Sequence, residues 1–164
     1  MFAAVDTNFL LALAAEDEDV MDALQTLRHR TPNLLVSATP TPLAELRFFQ
    51  RQQADLRLKT GATRALACFK NVWKFHAPLL TPAQQGAVRK AADRLRAAGV
   101  LPMEERHDSF ILAEAATIGA RLLVTADTVL RGIDYARLIF ELGEFDLHPP
   151  VLVTPRELVR KFFQ

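Results

Sequence analysis

Short apolar runs alternate with helical patterns along the chain, and this alternation most restricts the folds that the sequence can adopt. Capping signals mark several helix ends, including a Thr81–Gln84 capping box and a C-terminal Gly99. Strands joined by helices form a parallel sheet that is covered by those helices on both faces. We therefore expect a single α/β domain over residues 1–164, a three-layer sandwich with a central parallel sheet. The runs assigned to strands are 2–5, 34–36, 122–124 and 151–153.

The expected helices are assigned from apolar periodicity and capping residues. Thr41 is placed as the N-cap of a long helix, because Thr is a favoured N-cap and Pro42 suits the first helical position. Thr154 and Glu157 form a second capping box before the last helix. We expect a short strand within 75–80 and a candidate helix in the loop before 151. The other predicted helices cover 9–15, 16–27, 60–73, 82–98 and 108–118.

Composition excludes several classes of protein. Apolar residues make up 50% of the chain, which indicates a globular fold rather than disorder. Lys and Arg number 20 against 19 Asp and Glu, so a strongly basic nucleic-acid binder is not expected, although a local basic face remains compatible. Cys68 is the single cysteine, in a helical pattern that favours a core position. The four histidines are scattered, so no zinc site is expected.

The first residues of the chain do not predict a secretion signal. A basic leading segment and a small-residue cleavage site are both missing from the N-terminal pattern. The apolar stretch from Phe9 to Ala15 is too short to span a bilayer. We therefore expect a cytoplasmic protein with no membrane partner.

Four acidic residues stand where a parallel sheet would bring them together. Asp6 and Asp127 each follow an apolar run, and Glu45 and Asp108 each lie near the start of a helical pattern. In open α/β sheets, ligands bind beyond the carboxyl ends of the strands, where the strand order reverses. Clustered carboxylates cannot all stay ionised without a cation, and hard oxygen ligands suit Mg²⁺ or Mn²⁺. The pattern therefore indicates metal-dependent phosphodiester chemistry.

Each of these acids also has a structural explanation. Asp6 and Asp127 could cap the helices that follow them. Glu45 and Asp108 could stabilise the first turns of their helices through the helix macrodipole. For any one residue the two interpretations have similar weight, whereas four coincidences in one order favour the metal site.

The chain resembles the PIN-domain family, and the resemblance spans almost its whole length in the family's order. Each motif alone is weak, whereas their joint order in the right structural contexts is more specific. The resemblance implies a metal-dependent ribonuclease fold that includes the VapC-type toxins of toxin–antitoxin pairs. It rests on Asp6-Thr7-Asn8, on Glu45 in Leu43-Ala44-Glu45-Leu46, on the stretches 108–113 and 122–127, and on Thr154-Pro155-Arg156-Glu157-Leu158.

The resemblance also implies roles for individual residues. Thr125 would hydrogen-bond an active-site carboxylate or water. Asn8 would lie next to the metal ligands without binding the metal itself. A threonine that simply ends a strand is the alternative for Thr125. RNA would be cut by an activated water, leaving a 3′-hydroxyl and a 5′-phosphate. The acids that would bind Mg²⁺ or Mn²⁺ and carry catalysis are Asp6, Glu45, Asp108 and Asp127.

The sequence departs from the family at Val129. Many members carry a further acid there, two positions after the one that matches Asp127. One metal ion would then be held more weakly, or by substrate oxygens alone. Asp134 and Glu105 are the acids that could compensate, and neither is favoured.

Basic and aromatic residues are weaker candidates for contact with RNA. A solvated surface is the alternative for each basic residue. Helical spacing favours core or interface packing over base stacking for the aromatic residues. The basic candidates are Arg47, Arg51, His107 and Arg131, and the aromatic ones are Phe48, Phe49, Phe69, Trp73, Phe162 and Phe163.

Other functions and partners stay open at this point. The resemblance implies an RNA substrate, an antitoxin as a candidate partner and a homodimer, and the long helical region 53–100 could shape an RNA channel or a dimer contact. Val129 keeps open a PIN-like domain that binds RNA or protein without cutting. An aspartyl-phosphate phosphatase or a receiver domain is disfavoured, because Asn8 stands where such phosphatases need an acid and no lysine directly follows the last strand.

Overall fold

The computed structural model describes residues 1–52 and 54–162. Residue 53, which begins the helical region named above, and Phe163 lie outside the described residues, as does the side chain of Phe162. The strands are β1 (Phe2–Val5), β2 (Leu35–Ser37), β3 (Ala120–Val124) and β4 (Val151–Val153). The helices are α1 (Thr7–Ala14), α2 (Glu18–Arg30), α3 (Pro40–Arg51), α4 (Leu56–Asn71), α5 (Pro82–Ala97), α6 (Arg106–Thr117), α7 (Thr128–Arg131), α8 (Tyr135–Gly143) and α9 (Pro155–Phe162).

The four strands form one parallel sheet in the order β2-β1-β3-β4. From β1 the chain moves outward to β2 and then returns to β3 on the other side of β1, so the strand order reverses between β1 and β3. Val5 is paired with Val124 at the carboxyl ends of these two strands. The next residues, Asp6 and Thr125, therefore lie at neighbouring points of the same sheet edge.

Helices cover both faces of the sheet, which confirms the predicted α/β three-layer architecture. Ala3 and Val5 of β1 pack into a core with α1, α2, α3, α4 and α9. Ala4, which points the other way because side chains alternate along a strand, packs into a second core with α5, α6, α7 and α8. Burial of these two apolar layers is the main force that holds the sheet between the helices.

The N-terminus of α3 differs from the prediction. Thr39, and not Thr41, precedes the helix, and Pro40 occupies its first turn. The Thr39 side chain makes no capping bond. Instead, the Thr41 amide and hydroxyl donate to the two carboxylate oxygens of Glu114 on α6, at 3.0 and 2.8 Å. The prediction of Thr41 as the N-cap was wrong because Glu114, which is distant in the sequence, accepts the hydrogen bonds at this end of the helix.

Other local predictions have mixed outcomes. The Thr81–Gln84 and Thr154–Glu157 capping boxes are both present. Gly99 has φ of 67°, as a left-handed C-terminal residue does. The strand predicted within 75–80 is wrong, since that segment contributes a single bridge from His76 to Ser37. In the part of the chain that the structure describes, no helix has the length and apolarity needed to cross a membrane.

Candidate active site

Asp6 and Asp127 lie at the carboxyl ends of the central strands. Asp6 follows β1, is only 3% exposed, and its Oδ1 accepts a hydrogen bond from the Phe9 amide at 2.7 Å. Asp127 follows β3, and its Oδ1 accepts from the amides of Val129 and Leu130 at 2.7 and 3.0 Å. Both acids therefore do cap helices. Each cap engages one carboxylate oxygen, so capping and ligand binding are compatible in the same side chain.

Three of the four predicted acids line one small cavity. Asp6, Glu45 of α3 and Asp108 of the first turn of α6 surround a space of about 90 Å³. Thr7, Asn8, Phe49 and Ile111 complete its wall. We call this space the acidic cavity.

Burial and mutual repulsion raise the pKa values of two of these acids. Burial raises the pKa of Asp6 to about 6, with further increases from the charges of Asp127 and Glu45, while hydrogen bonds from Thr125 and the Phe9 amide oppose the shift. The pKa of Asp108 is raised to about 7, chiefly by burial. The negative charges of Asp127, Glu105, Asp6 and Glu45 add smaller increases. Asp127 does not line the cavity, but it lies close enough to act on both residues. All four predicted acids thus share one electrostatic field.

Thr125 links two of the acids. It is fully buried at the end of β3, and its side chain hydrogen-bonds Asp6. Its Oγ1 also accepts a hydrogen bond from the Asp127 amide at 2.9 Å. Thr125 therefore fixes Asp6 relative to the backbone that carries Asp127, while its role in function stays a prediction.

Glu45 is held from two sides. The Thr7 hydroxyl donates to Oε2 of Glu45. Nδ1 of His107 lies 2.5 Å from Oε1 of Glu45. Sequence reasoning missed Thr7. The only available signal was its place beside Asp6, at the start of the helix that leaves the sheet edge.

The chemistry of this acid cluster fits a divalent cation, but its present geometry is not a finished metal site. Among residues 1–52 and 54–162, no group of three or more His, Cys, Asp or Glu side chains is placed so that it could hold a metal ion. Both oxygens of Glu45 are engaged by Thr7 and His107, as described above. The strongest charges acting on Asp6 and Asp108 are negative. A cation would relieve that repulsion, and its binding would require Glu45 to exchange at least one present partner.

The other predicted residues are dispersed. Asn8 is exposed at the wall of the acidic cavity. Arg47 lines a separate groove beside Leu66, Phe69 and Lys70. Arg131 is paired with Glu157 at 2.9 Å, and Arg51 is exposed at the end of α3. Of the four basic candidates in the described chain, only His107 contacts one of the predicted acids.

The position that departs from the family is occupied by a packing residue. Val129 is partly buried against the second core, and its amide donates to Asp127. Of the two acids considered as replacements, Asp134 caps α8, where its Oδ1 accepts from the amides of residues 136 and 137. Glu105 is the one near the acids, since its charge raises the pKa of Asp108.

A second and larger hollow adjoins the acidic cavity. We call it the aromatic groove, a space of about 780 Å³ between α3 and α6. Glu45 and Phe49 line both spaces, so the two are adjacent. Phe69 and Trp73 are core residues, as predicted, whereas Phe48 is 61% exposed and so is not a core residue; interface packing stays a prediction for Phe48. The groove is lined chiefly by Phe48, Phe49, Phe110, Arg106, His107 and Glu45.

Comparison with known structures supports the fold. A chain in the crystal structure of VapBC2 from Rickettsia felis bound to a DNA fragment from their promoter matches with a TM-score of 0.64 and 15% identity. A chain in the 2.2 Å resolution structure of VapBC-1 from nontypeable Haemophilus influenzae matches with a TM-score of 0.59 and 15% identity. Each match covers 94% of this chain and 98% of the other. At this identity the likeness establishes the fold, and it confirms the predicted PIN-like architecture.

A comparison with protein-family models finds no match, and a comparison with curated proteins finds no significant relative.

Proposed function

We propose that this protein is a divalent-metal-dependent ribonuclease that hydrolyses RNA phosphodiester bonds and serves as the toxin of a toxin–antitoxin pair. One observation supports this proposal most strongly. Acids from four separate segments share one field at the point where strand order reverses, and three of them line one cavity. The fold likeness to chains of two VapBC structures agrees with it.

In this proposal, Asp6, Glu45, Asp108 and Asp127 hold Mg²⁺ or Mn²⁺. The bound ion supplies a more acidic water for attack on phosphorus and offsets charge on the phosphate. Thr125 orients Asp6 through its hydroxyl, and Thr7 orients Glu45 in the same way. Because carboxylates must be ionised to bind a cation, the raised pKa values of Asp6 and Asp108 make binding stronger as pH rises through about 6 to 7.

The remaining parts of the proposal concern partners and organisation. His107 is the basic residue best placed for the substrate, while Arg47, Arg51 and Arg131 are weaker candidates. An antitoxin protein and a second copy of this chain are the proposed protein partners. RNA and such an antitoxin would meet the protein in the cytoplasm. Residues 1–164 are proposed to act as one domain.

The test is cleavage of end-labelled single-stranded RNA by the purified protein with Mg²⁺ or Mn²⁺, and with EDTA in a parallel reaction. Asp6→Asn is the informative variant, because Asn also caps helices well and so preserves the local fold. Asp134→Asn is the matched control, since Asp134 caps α8 outside the acid cluster. We expect metal-dependent cutting that is lost only in Asp6→Asn. Equal cutting by folded Asp6→Asn protein would contradict the site assignment.

A second candidate function is a PIN-like domain that binds RNA or protein without cutting. It is favoured by Val129 and by the lack of a ready metal-holding group among the described residues. Calorimetric titration with Mn²⁺ separates the two candidates. Binding that is abolished by Asp6→Asn supports the nuclease, whereas intact RNA binding without measurable metal binding supports the non-catalytic domain.

A further inference from the structure

We propose that the aromatic groove is a base-stacking subsite, which holds an unpaired nucleobase next to the RNA phosphate in the acidic cavity. This inference rests on the proposed function and adds a requirement for a single-stranded segment at the cut. It assigns positioning roles to Phe48, Phe49 and Phe110, and a phosphate-binding role to Arg106.

The ring surfaces of the groove carry the argument. Phe48 and Phe49 have ring centroids 6.0 Å apart at an interplanar angle of 59°, so they form a bent wall rather than a closed stack. Phe110 of α6 also lines this space. Phe48 exposes 61% of its surface in a chain that buries most of its large apolar side chains. Exposed aromatic faces of this kind bind unpaired bases of any sequence, because every base has a π-face.

The size of the groove agrees with a ligand of this class. Its volume of about 780 Å³ is within the range of roughly 300–1,000 Å³ typical of small-molecule sites. The acidic cavity, at about 90 Å³, has room for little more than an ion with its waters or one phosphate oxygen. The two spaces therefore differ in what they can hold, and a nucleotide has one part suited to each.

Charge on the rim favours a nucleic acid strand over an apolar partner. Arg106 lines the groove, and its guanidinium makes no hydrogen bond or ion pair with any residue of the described chain. A free guanidinium beside aromatic rings matches a phosphate that follows a stacked base. A purely apolar occupant would leave this charge desolvated and unpaired.

The adjacency of the two spaces sets the register of the strand. Glu45 and Phe49 belong to both walls. A phosphodiester at the acidic cavity therefore places the adjoining base over Phe49 and towards Phe48. A base in a duplex cannot reach this position, because it is stacked and paired within the helix.

The experiment measures RNA binding and cleavage separately. Binding is followed by fluorescence anisotropy with a short fluorescein-labelled single-stranded RNA, in Mg²⁺, on an Asp6→Asn background that does not cut. On this background, the wild-type groove is compared with Phe48→Ala, Phe48→Leu and Arg106→Gln. Phe140→Ala is the matched control, because Phe140 is 64% exposed on α8, away from the groove.

We expect Phe48→Ala to weaken binding on the order of tenfold, as loss of one base-stacking partner does. Phe48→Leu should weaken it similarly, because leucine keeps the apolar bulk but lacks a flat face. On RNA with one abasic nucleotide at the stacked position, Phe48→Ala should have no further effect. Arg106→Gln should weaken binding to all RNAs and reduce its salt dependence.

Other results would overturn the inference while leaving the proposed function standing. If RNA binding by Phe48→Ala equals that of Phe140→Ala, the groove is not a base subsite. If Phe48→Ala instead converts a dimer to a monomer in sedimentation, with unchanged RNA affinity, the groove is a contact between copies. Failure of the nuclease proposal gives a different result. The protein with Asp6 intact would not cut RNA in Mg²⁺, but its RNA binding would still be weakened by Phe48→Ala.

Discussion

Buried carboxylates occur in two different settings in this molecule, and the contrast shows how a site differs from packing. Glu141 of α8 is 6% exposed and forms an ion pair with Arg94 of α5 at 2.5 Å. Asp6 is 3% exposed, but its charged neighbours include the acids Asp127 and Glu45, which raise its pKa. The region of Glu141 contains a cation, Arg94, that pairs with the buried acid, whereas the region of Asp6 brings several acidic side chains together.

The difference indicates what each region needs. A buried charge that is paired within the protein contributes to packing and orientation of the helices. A group of acids whose pKa values are raised by burial and by one another is typical of a functional site. Glu114 is an intermediate case, because burial raises its pKa while Thr41 supplies neutral donors. Removing one charge should therefore have opposite consequences for stability in the two regions.

The largest expected effect is on catalysis at the acid cluster. Asp6→Asn removes one negative charge and one candidate metal ligand, so the proposed RNA cleavage should fall by at least about a hundredfold in kcat/KM. The free energy of unfolding in EDTA should stay the same or rise, because repulsion among the acids is relieved. Thermal unfolding and cleavage assays check this together. Loss of folding on this substitution would place Asp6 with Glu141 as a packing residue.

Loss of the Arg94–Glu141 ion pair should lower stability without changing cleavage, which is the reverse of the result expected for Asp6→Asn. Arg94→Ala leaves Glu141 buried without a cation, and should lower the free energy of unfolding by about 2 kcal/mol, less than for a fully buried pair since Arg94 is 49% exposed. Cleavage at a temperature where the variant is folded should be unchanged. Chemical denaturation measures the loss, with Arg89→Ala, an exposed position on the same helix, as the control. Equal stability of the two variants would show that the pair contributes nothing.

A smaller catalytic effect is expected from Thr7. Thr7→Val removes the hydroxyl that donates to Glu45, and should reduce cleavage about tenfold, as loss of a residue supporting a metal ligand does. Thr7→Ser keeps the hydroxyl and should restore most of the activity. A Thr7→Val protein with full activity would mean that Glu45 is oriented by His107 alone.

The smallest expected effect is a pH dependence of stability. The pKa of Asp108 is about 7 in the folded protein, above its ordinary value of 3.8. The folded state therefore binds the proton more tightly than the unfolded state, so this contribution to stability is full below about pH 4 and is lost as pH rises through 7. Without divalent ions, the wild type should melt a few degrees below Asp108→Asn at pH 8.

Calorimetry at several pH values checks this prediction. The difference in Tm between the two proteins should shrink as the pH is lowered towards 4, and added Mg²⁺ should reduce it at pH 8 by stabilising the wild type. A difference in Tm that is constant with pH would show that Asp108 titrates normally in the fold.

Much of the fold and part of the site follow from the sequence. The positions of Asp6 and Asp127 were predictable, because a residue that ends a strand of a parallel sheet lies at a known edge. What the sequence does not reveal is which strands are neighbours, and the pairing of Val5 with Val124 is what brings the two acids close. Such pairing depends on contacts between distant parts of the chain.

The errors have the same origin. Thr41 was predicted as an N-cap from its neighbours, but Glu114 approaches it from α6. Arg47 was a weaker candidate for RNA contact, and that role stays a prediction; it lies two residues after Glu45 and about 200° around the helix, on another groove. Phe48 has the spacing of a core residue, and its exposure depends on the space left between α3 and α6.

The pairing of β1 with β3 also determines when the proposed site can form during protein synthesis. β1 leaves the ribosome early, whereas its central partner β3 and the acid Asp127 emerge much later. Ribosomes add roughly 5–20 residues per second, so a nascent chain carries Asp6 and Glu45 for several seconds before β3 is made. The proposed activity therefore requires that β3 has emerged and paired with β1, and a growing chain that lacks β3 should be inactive.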